Sequence, residues 1–485
     1  MFSIVFPTAA TLAPSVAFTR LPLTLVLVPL PLFLLTAHRS PLTAYALPIY
    51  TPRMKTKALP GFRDFYPADL ALRAHIFQTW RAVATRYGFE EYDGPPLEPL
   101  DLYTAKSGDE IVGQLYTFRD KGDRDVALRP EMTPTLARMV AARSGELRKP
   151  IRWFSIPQLF RYERQQRGRL REHFQLNCDL IGEAGTLADA EIIALAIDVV
   201  RAFALTSTDV RVRLSDRRLL NQLLYSFDLT DEQVSAIYGW LDKQGRSANA
   251  GNLQRLHDLN IDPDIIAFLN AACEVKDIGK LKRVLAQKPA LKLSVIHLEE
   301  VVDALGAMGL ADFVEIDLGV VRGLAYYTGT VFEIFDAGRT LRAICGGGRY
   351  DNLLDAVGEV ELPAVGFGMG DVVLGELLKD KGLAPLDVAS IDVFLAFITQ
   401  EDLPHVLSLA HRLRDAGLRV EYALSPQAVG KQLKLADARH ARLAAVVGPD
   451  ERARGDIVIK DLQSGSQETV PLQSSVDIIK ARIHG

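Results

Sequence analysis

Cysteine is scarce in this chain: Cys178, Cys273 and Cys345 are the only three in 485 residues. They are too few and too scattered for a disulfide framework or a zinc site, which excludes a small stapled fold and fits a reducing, cytoplasmic location. No other metal-ligating cluster is legible. Net charge is also small, at −4, so the chain is not one that coats nucleic acid indiscriminately, and any such contact must come from a local basic patch. A disorder signature is missing as well. With 48% hydrophobic and 24% charged residues, the composition is that of a soluble protein long enough for two or three domains.

Acidic residues are absent from residues 1–53, whose only charges are Arg20, Arg39 and Arg53. The apolar run from Leu21 to Ala37 is interrupted by Pro22, Pro29 and Pro31, and it falls short of the roughly 20 residues a membrane anchor needs. It also lies far downstream for a secretory signal, although Ala44 and Ala46 imitate a cleavage site, and a transit peptide would be richer in Ser and Arg. The preferred expectation is an N-terminal apolar extension outside the fold, no membrane association, and a functional protein that begins at Met54.

What is present is concentrated in a few stretches. From Ile151 to Glu183 the pattern reads as a strand to Arg161, a polar loop around Gly168, and a returning strand from His173 to Ile181. Arg161, Arg164, Arg167, Arg169 and Arg171 crowd the tip, with Glu163 and Glu172 as the only acids. A charged tip can simply be solvated, but guanidinium forks also match phosphate oxygens in pairs. Gln175 and Asp179 stand at i and i+4 on the returning strand and so share a face. Polar groups on one face of an apolar strand need a partner.

Earlier, an amphipathic helix is expected over Ala68–Arg86, with Leu70, Ala74, Phe77, Trp80, Ala84 and Tyr87 as its stripe, followed by a strand over Phe89–Leu97. Glu131 stands at a strand-to-helix junction, where Thr133 or Thr135 can cap the helix running through Arg143. Further on, residues 216–289 have helical period and read as an insertion. From about residue 387, strands at Ile391–Ile398, Arg419–Leu424 and Leu443–Val447 alternate with helices, a β-α-β-α-β pattern that predicts a parallel sheet, and a hairpin turns at Gly465.

Arg161, Glu163, Arg171, Gln175 and Asp179 resemble motif 2 of class II aminoacyl-tRNA synthetases. The stretches Val320–Glu333, with Arg322, Tyr326 and Tyr327, and Cys345–Asp351 resemble the two signatures of the histidyl-tRNA synthetase family; Ala325 departs from an Asp common there. The resemblance implies an α+β fold: a class II antiparallel sheet flanked by helices, with a helical insertion and a C-terminal α/β domain. Its implied organisation is a catalytic domain over 54–385, the insertion over 216–289, and an anticodon-binding domain over 387–485. Implied too are ATP with Mg²⁺, L-histidine and tRNA(His) as ligands, and a homodimer built through the first helix and strand. By the same resemblance Glu131, Thr133, Arg161, Gln175, Asp179, Arg322, Tyr326 and Tyr327 hold histidine. Arg161, Glu163, Arg169, Arg171 and His173 would hold ATP, and Arg161 with Arg322 would act on the α-phosphate. Val373 stands where motif 3 of the family usually has an arginine. That departure leaves open a noncatalytic histidine-binding relative, such as the regulatory subunit of ATP phosphoribosyltransferase, which typically lacks the anticodon domain.

Overall fold

A proline that needs no amide partner opens the first helix, α1 (Pro67–Arg86), and Gly88, at φ +73°, follows its end. The computed structural model describes residues 57–104, 112–242, 250–285, 292–321, 326–385 and 391–484. The expected extension over 1–53, and Arg322, lie outside the described residues. The buried face of α1 is Ile76, Trp80, Val83 and Ala84, while Leu70, at the head of the expected stripe, is exposed.

The strand expected next is two short ones, β1 (Glu90–Glu91) and β2 (Leu97–Pro99). Pro95 and Pro96 interrupt them because neither can donate to a ladder. After α2 (Asp101–Thr104), β3 (Tyr116–Arg119) and β4 (Asp125–Leu128) join β2 in a small antiparallel sheet. Next comes α3 (Thr133–Arg143), which neither threonine caps: Met132 precedes its first turn, and the Thr135 hydroxyl instead lies 3.3 Å from that of Tyr103.

The expected hairpin is present with a break. Pro157 separates β5 (Ile151–Ser155) from β6 (Gln158–Phe160), and both pair with the long strand β7 (Glu172–Ile181). Helix α4 (Thr186–Ala202) and strand β8 (Val210–Asp216) lead into α5 (Arg217–Tyr225), α6 (Asp231–Leu241), α7 (Ala250–Asp258), α8 (Pro263–Cys273), α9 (Ile278–Leu285) and α10 (Lys292–Ala307). The chain then returns to strands as β9 (Val314–Ile316), β10 (Thr330–Asp336), β11 (Cys345–Arg349), the short α11 (Leu353–Gly358), β12 (Ala364–Gly370) and α12 (Asp371–Asp380). These strands form one sheet in the order β1-β5-β7-β12-β11-β10-β8-β9, with β6 extending β7. Only the outermost pairs, β1 with β5 and β8 with β9, are parallel. The apolar helix α4 packs on β7 and β12 and supplies much of the core beneath them.

The C-terminal part has its own core and its own sheet. Strands β13 (Val393–Phe397), β14 (Val420–Tyr422) and β15 (Leu443–Val447) are parallel, joined through α13 (Leu403–Asp415) and α14 (Val429–Ala438). The run Val393–Phe397 is wholly buried, as a parallel strand covered on both faces should be. After α15 (Pro449–Arg454), β16 (Asp456–Asp461) and β17 (Gln467–Pro471) form the antiparallel hairpin turning at Gly465, and α16 (Ser475–His484) closes the domain.

Candidate active site

The period of two along β7 puts Gln175, Asn177 and Asp179 on one face, and the register sets them opposite Gly370, Gly368 and Gly366 of β12. A Cβ on Gly366 would fall 2.0 Å from Asp179 Oδ1, and one on Gly368 would fall 2.6 Å from Gln175 Cδ. Both side chains therefore lie flat across the neighbouring strand in space that only glycine leaves. The alternating glycines of 366–370 were the signal from which this could have been read.

Around Asp179 the structure gathers groups from distant parts of the chain. Tyr350 donates its hydroxyl to Asp179 Oδ1 at 2.5 Å, whereas Oδ2 is buried with no hydrogen-bond partner. Burial pushes this carboxyl up to about 7, with the Tyr350 hydrogen bond acting in the opposite direction. Tyr326 donates to Glu131 Oε2 at 3.1 Å, and its ring lies 5.0 Å from that of Tyr327 and 5.8 Å from that of Tyr350. Glu131, Asp179, Tyr326 and Tyr327 thus meet in one place, with Thr133 half-buried at the start of α3. Tyr350 lies in the Cys345–Asp351 signature stretch, but no local sequence pattern marks it as a partner of Asp179.

Next to this group, at the end of the sheet, a cavity of about 540 Å³ is lined by Arg161, Glu163, Arg169, His173 and Gln175 on one flank. Arg161 donates its Nε to the Pro130 carbonyl at 2.9 Å, which orients the guanidinium beside the junction carrying Glu131. Arg169 is ion-paired with the buried Glu163. Burial, reinforced by Arg161, Arg63 and Arg169, pushes the His173 imidazole down to about 3, so it is neutral at physiological pH. Arg171 is not part of the lining: it lies 4.1 Å over the Tyr162 ring and reaches the Pro60 carbonyl at 3.5 Å. Arg167 leaves as well, to Glu376 at 2.9 Å and Asp380 at 2.8 Å on α12.

The same helix explains what occupies the motif 3 position. Val373 is buried against the hairpin tip, where a Cβ on Gly168 would come 3.2 Å from its Cγ2. Asp371 accepts the Phe174 amide at 2.8 Å and an Arg63 nitrogen at 2.9 Å, and Arg63 in turn donates to Glu172 at 2.6 Å. The hairpin is thereby fastened to α12 at its tip and at the start of β7.

An antiparallel sheet with an arginine-tipped hairpin, a following glycine-rich strand and a polar pocket beside it is the catalytic architecture of a class II aminoacyl-tRNA synthetase. A family model described as histidyl-tRNA synthetase matches residues 61–370, and one described as anticodon binding domain matches residues 392–482. The chain belongs to the histidyl-tRNA synthetase family. It is 46% identical over 422 residues to a histidine–tRNA ligase of Opitutus terrae, covering 86% of this chain and 96% of that one. It is 37% identical to the chloroplastic/mitochondrial histidine–tRNA ligase of Arabidopsis thaliana, covering 85% and 84%. Among solved structures, histidyl-tRNA synthetase from Nostoc sp. PCC 7120 superposes with a TM-score of 0.76 at 26% identity, covering 89% of this chain and all of that one.

Proposed function

We propose that the chain is a histidine–tRNA ligase, activating L-histidine with ATP and passing the histidyl group to tRNA(His). The observation that carries this reading is the unpartnered Oδ2 of Asp179, buried beside three tyrosines and adjoining an arginine-lined cavity of nucleotide size. An imidazole N–H satisfies that oxygen. A substrate without one leaves it buried and unpaired, which is how such a pocket discriminates strongly.

In the first step a histidine carboxylate oxygen attacks the α-phosphorus, the bond to the β-phosphate oxygen breaks, and pyrophosphate leaves with the electron pair. A terminal ribose hydroxyl of the tRNA then attacks the histidyl carbonyl and AMP departs. Glu131 and Thr133 take the substrate's amino group, Gln175 and Tyr327 hold it in place, and Arg161 faces the α-phosphate, with Arg322 assigned beside it by resemblance. His173, as a neutral ring, suits stacking on the adenine. ATP would enter as its Mg²⁺ complex; of the carboxylates lining the cavity, Glu163 is held by Arg169, and Glu333 is the one that would face the metal, which would offset phosphate charge. The proposed domain limits are 54–385, with residues 216–289 inserted, and 387–485. Cytoplasmic location and a homodimer belong to the same reading. Among the described residues no helix is long and apolar enough to cross a membrane.

Histidine-dependent exchange of pyrophosphate into ATP tests the proposal, with charging of tRNA(His) as the second readout. Histidine binding without exchange would instead mark a noncatalytic histidine sensor.

Asp179 also sets a pH dependence. Its folded value, about 7, lies above the ordinary carboxyl value of about 3.9. The free protein therefore holds a proton there that the unfolded chain has released. Stability from this group is present below about pH 4 and is lost as pH rises toward 7. Because the imidazole N–H favours the carboxylate, histidine binding below pH 7 releases that proton, so affinity should rise between pH 5.5 and 7. The substrate's own imidazole titrates near about 6.5 in every experiment. The difference in slope between wild type and Asp179→Asn, measured by calorimetry, isolates the carboxyl. Parallel pH profiles for the two proteins would show that Asp179 does not carry the proton.

A further inference from the structure

The flank of the cavity facing away from the hairpin is built by the connection between β10 and β11, where Leu341, Arg342, Ala343 and Ile344 line it together with Glu333 and Phe335 of β10. This connection is held in place. The Ile344 amide donates to the Ile334 carbonyl at 2.8 Å, and the Ile344 carbonyl accepts the Gly370 amide at 3.2 Å, just before α12 begins. In sheet order β12 and β11 lie between β7 and β10, so the hairpin flank and the Arg342 flank stand two to three strand spacings apart, about 10–14 Å. Apolar Val372 and Val373 also line the cavity, Val373 on the hairpin side.

The charges on this lining are unevenly shared. Arg161 and Arg169 belong to the hairpin, Arg169 is paired with Glu163, and His173 is neutral. Three arginines, Arg161, Arg169 and Arg342, and two carboxylates, Glu163 and Glu333, line the cavity, so its formal charge is net positive. Among the described lining residues Arg342 is the one arginine outside the hairpin. A triphosphate is a polyanion that needs cations on more than one side to hold a fixed pose, and an arginine fork matches phosphate oxygens in pairs.

We propose that Arg342 is a nucleotide-binding residue that holds the triphosphate of ATP from the flank opposite the hairpin. This rests on the cavity being the ATP site. The test compares wild type with Arg342→Ala, Arg342→Gln and Arg342→Lys, measuring the ATP and histidine dependence of pyrophosphate exchange and, by calorimetry, the binding of ATP and of adenosine. The neutral variants should raise the KM for ATP by about tenfold or more, as expected for a lost charged hydrogen bond. The KM for histidine and the affinity for adenosine should each stay within about twofold, and Arg342→Lys should recover part of the loss. Arg342→Gln, close to arginine in shape, keeps the test open if the alanine variant fails to fold. An unchanged ATP dependence overturns the assignment, as does equal weakening of adenosine and ATP, which would mark a role in pocket shape. Absence of exchange in wild type would sink the ligase reading instead, while ATP calorimetry would still decide the role of Arg342.

Discussion

Alanine at Arg161 is expected to slow histidine-dependent pyrophosphate exchange by roughly 100- to 1000-fold, about 2.7–4 kcal/mol in the barrier, the loss seen when one preorganised donor to a developing anion is removed. The geometry favours a large effect. Arg161 follows β6 directly, and its Nε is held by the Pro130 carbonyl at 2.9 Å, so the guanidinium is oriented before substrate arrives. Preorganisation of this kind costs nothing at the moment of reaction, which is why it acts on kcat more than on KM. Arg161→Lys keeps the charge but loses the fork and should fall between wild type and alanine. Exchange by Arg161→Ala within about tenfold of wild type, a shift of about 1.4 kcal/mol, would remove Arg161 from the chemistry.

The second large effect is on stability. Arg349 and Asp189 are each about 1% exposed, and the guanidinium makes three contacts of 2.7–3.1 Å to that carboxylate. It also donates to the carbonyls of Glu183 and Gly185 at 3.1 and 3.2 Å, pinning β11 to the turn that starts α4. Arg349→Met should cost on the order of 3–5 kcal/mol, because it leaves the buried Asp189 carboxylate without its hydrogen-bonded counter-charge, only Arg218, itself paired with Asp216, remaining near. Replacing both residues, as Arg349→Met with Asp189→Leu, should cost less than the single change, since neither member of the pair is then left buried without the other. Denaturant midpoints of the three variants measure this. A single variant within about 1 kcal/mol of wild type would mean that the pair contributes little.

These two arginines show how far the sequence could be read. Arg161 was picked out by its place at the end of a strand beside a charged tip, and the structure sets it on the cavity. Arg349 belongs to the Cys345–Asp351 signature stretch, and nothing in its neighbours announces a partner 160 residues away. Arg171 carried the same signal as Arg161, yet it stacks on Tyr162. The side chain of an arginine is long enough to reach several partners, and local spacing does not say which of them is near.

The sequence by itself determined the order of strands and helices, the hairpin with its arginine tip, the shared face of Gln175 and Asp179, and the β-α-β-α-β pattern with its turn at Gly465. All of these depend on periodicity and on backbone preferences that act within a few residues. Only the tertiary structure decided that Tyr350 reaches Asp179, that glycines of β12 make room for the polar face of β7, and that Asp371 and Val373 fasten the hairpin to α12. It also decided that Arg342 faces the cavity from the far flank. Each of these pairs segments far apart in the chain, through strand register and burial, and a contact of that kind exists only once the sheet has assembled.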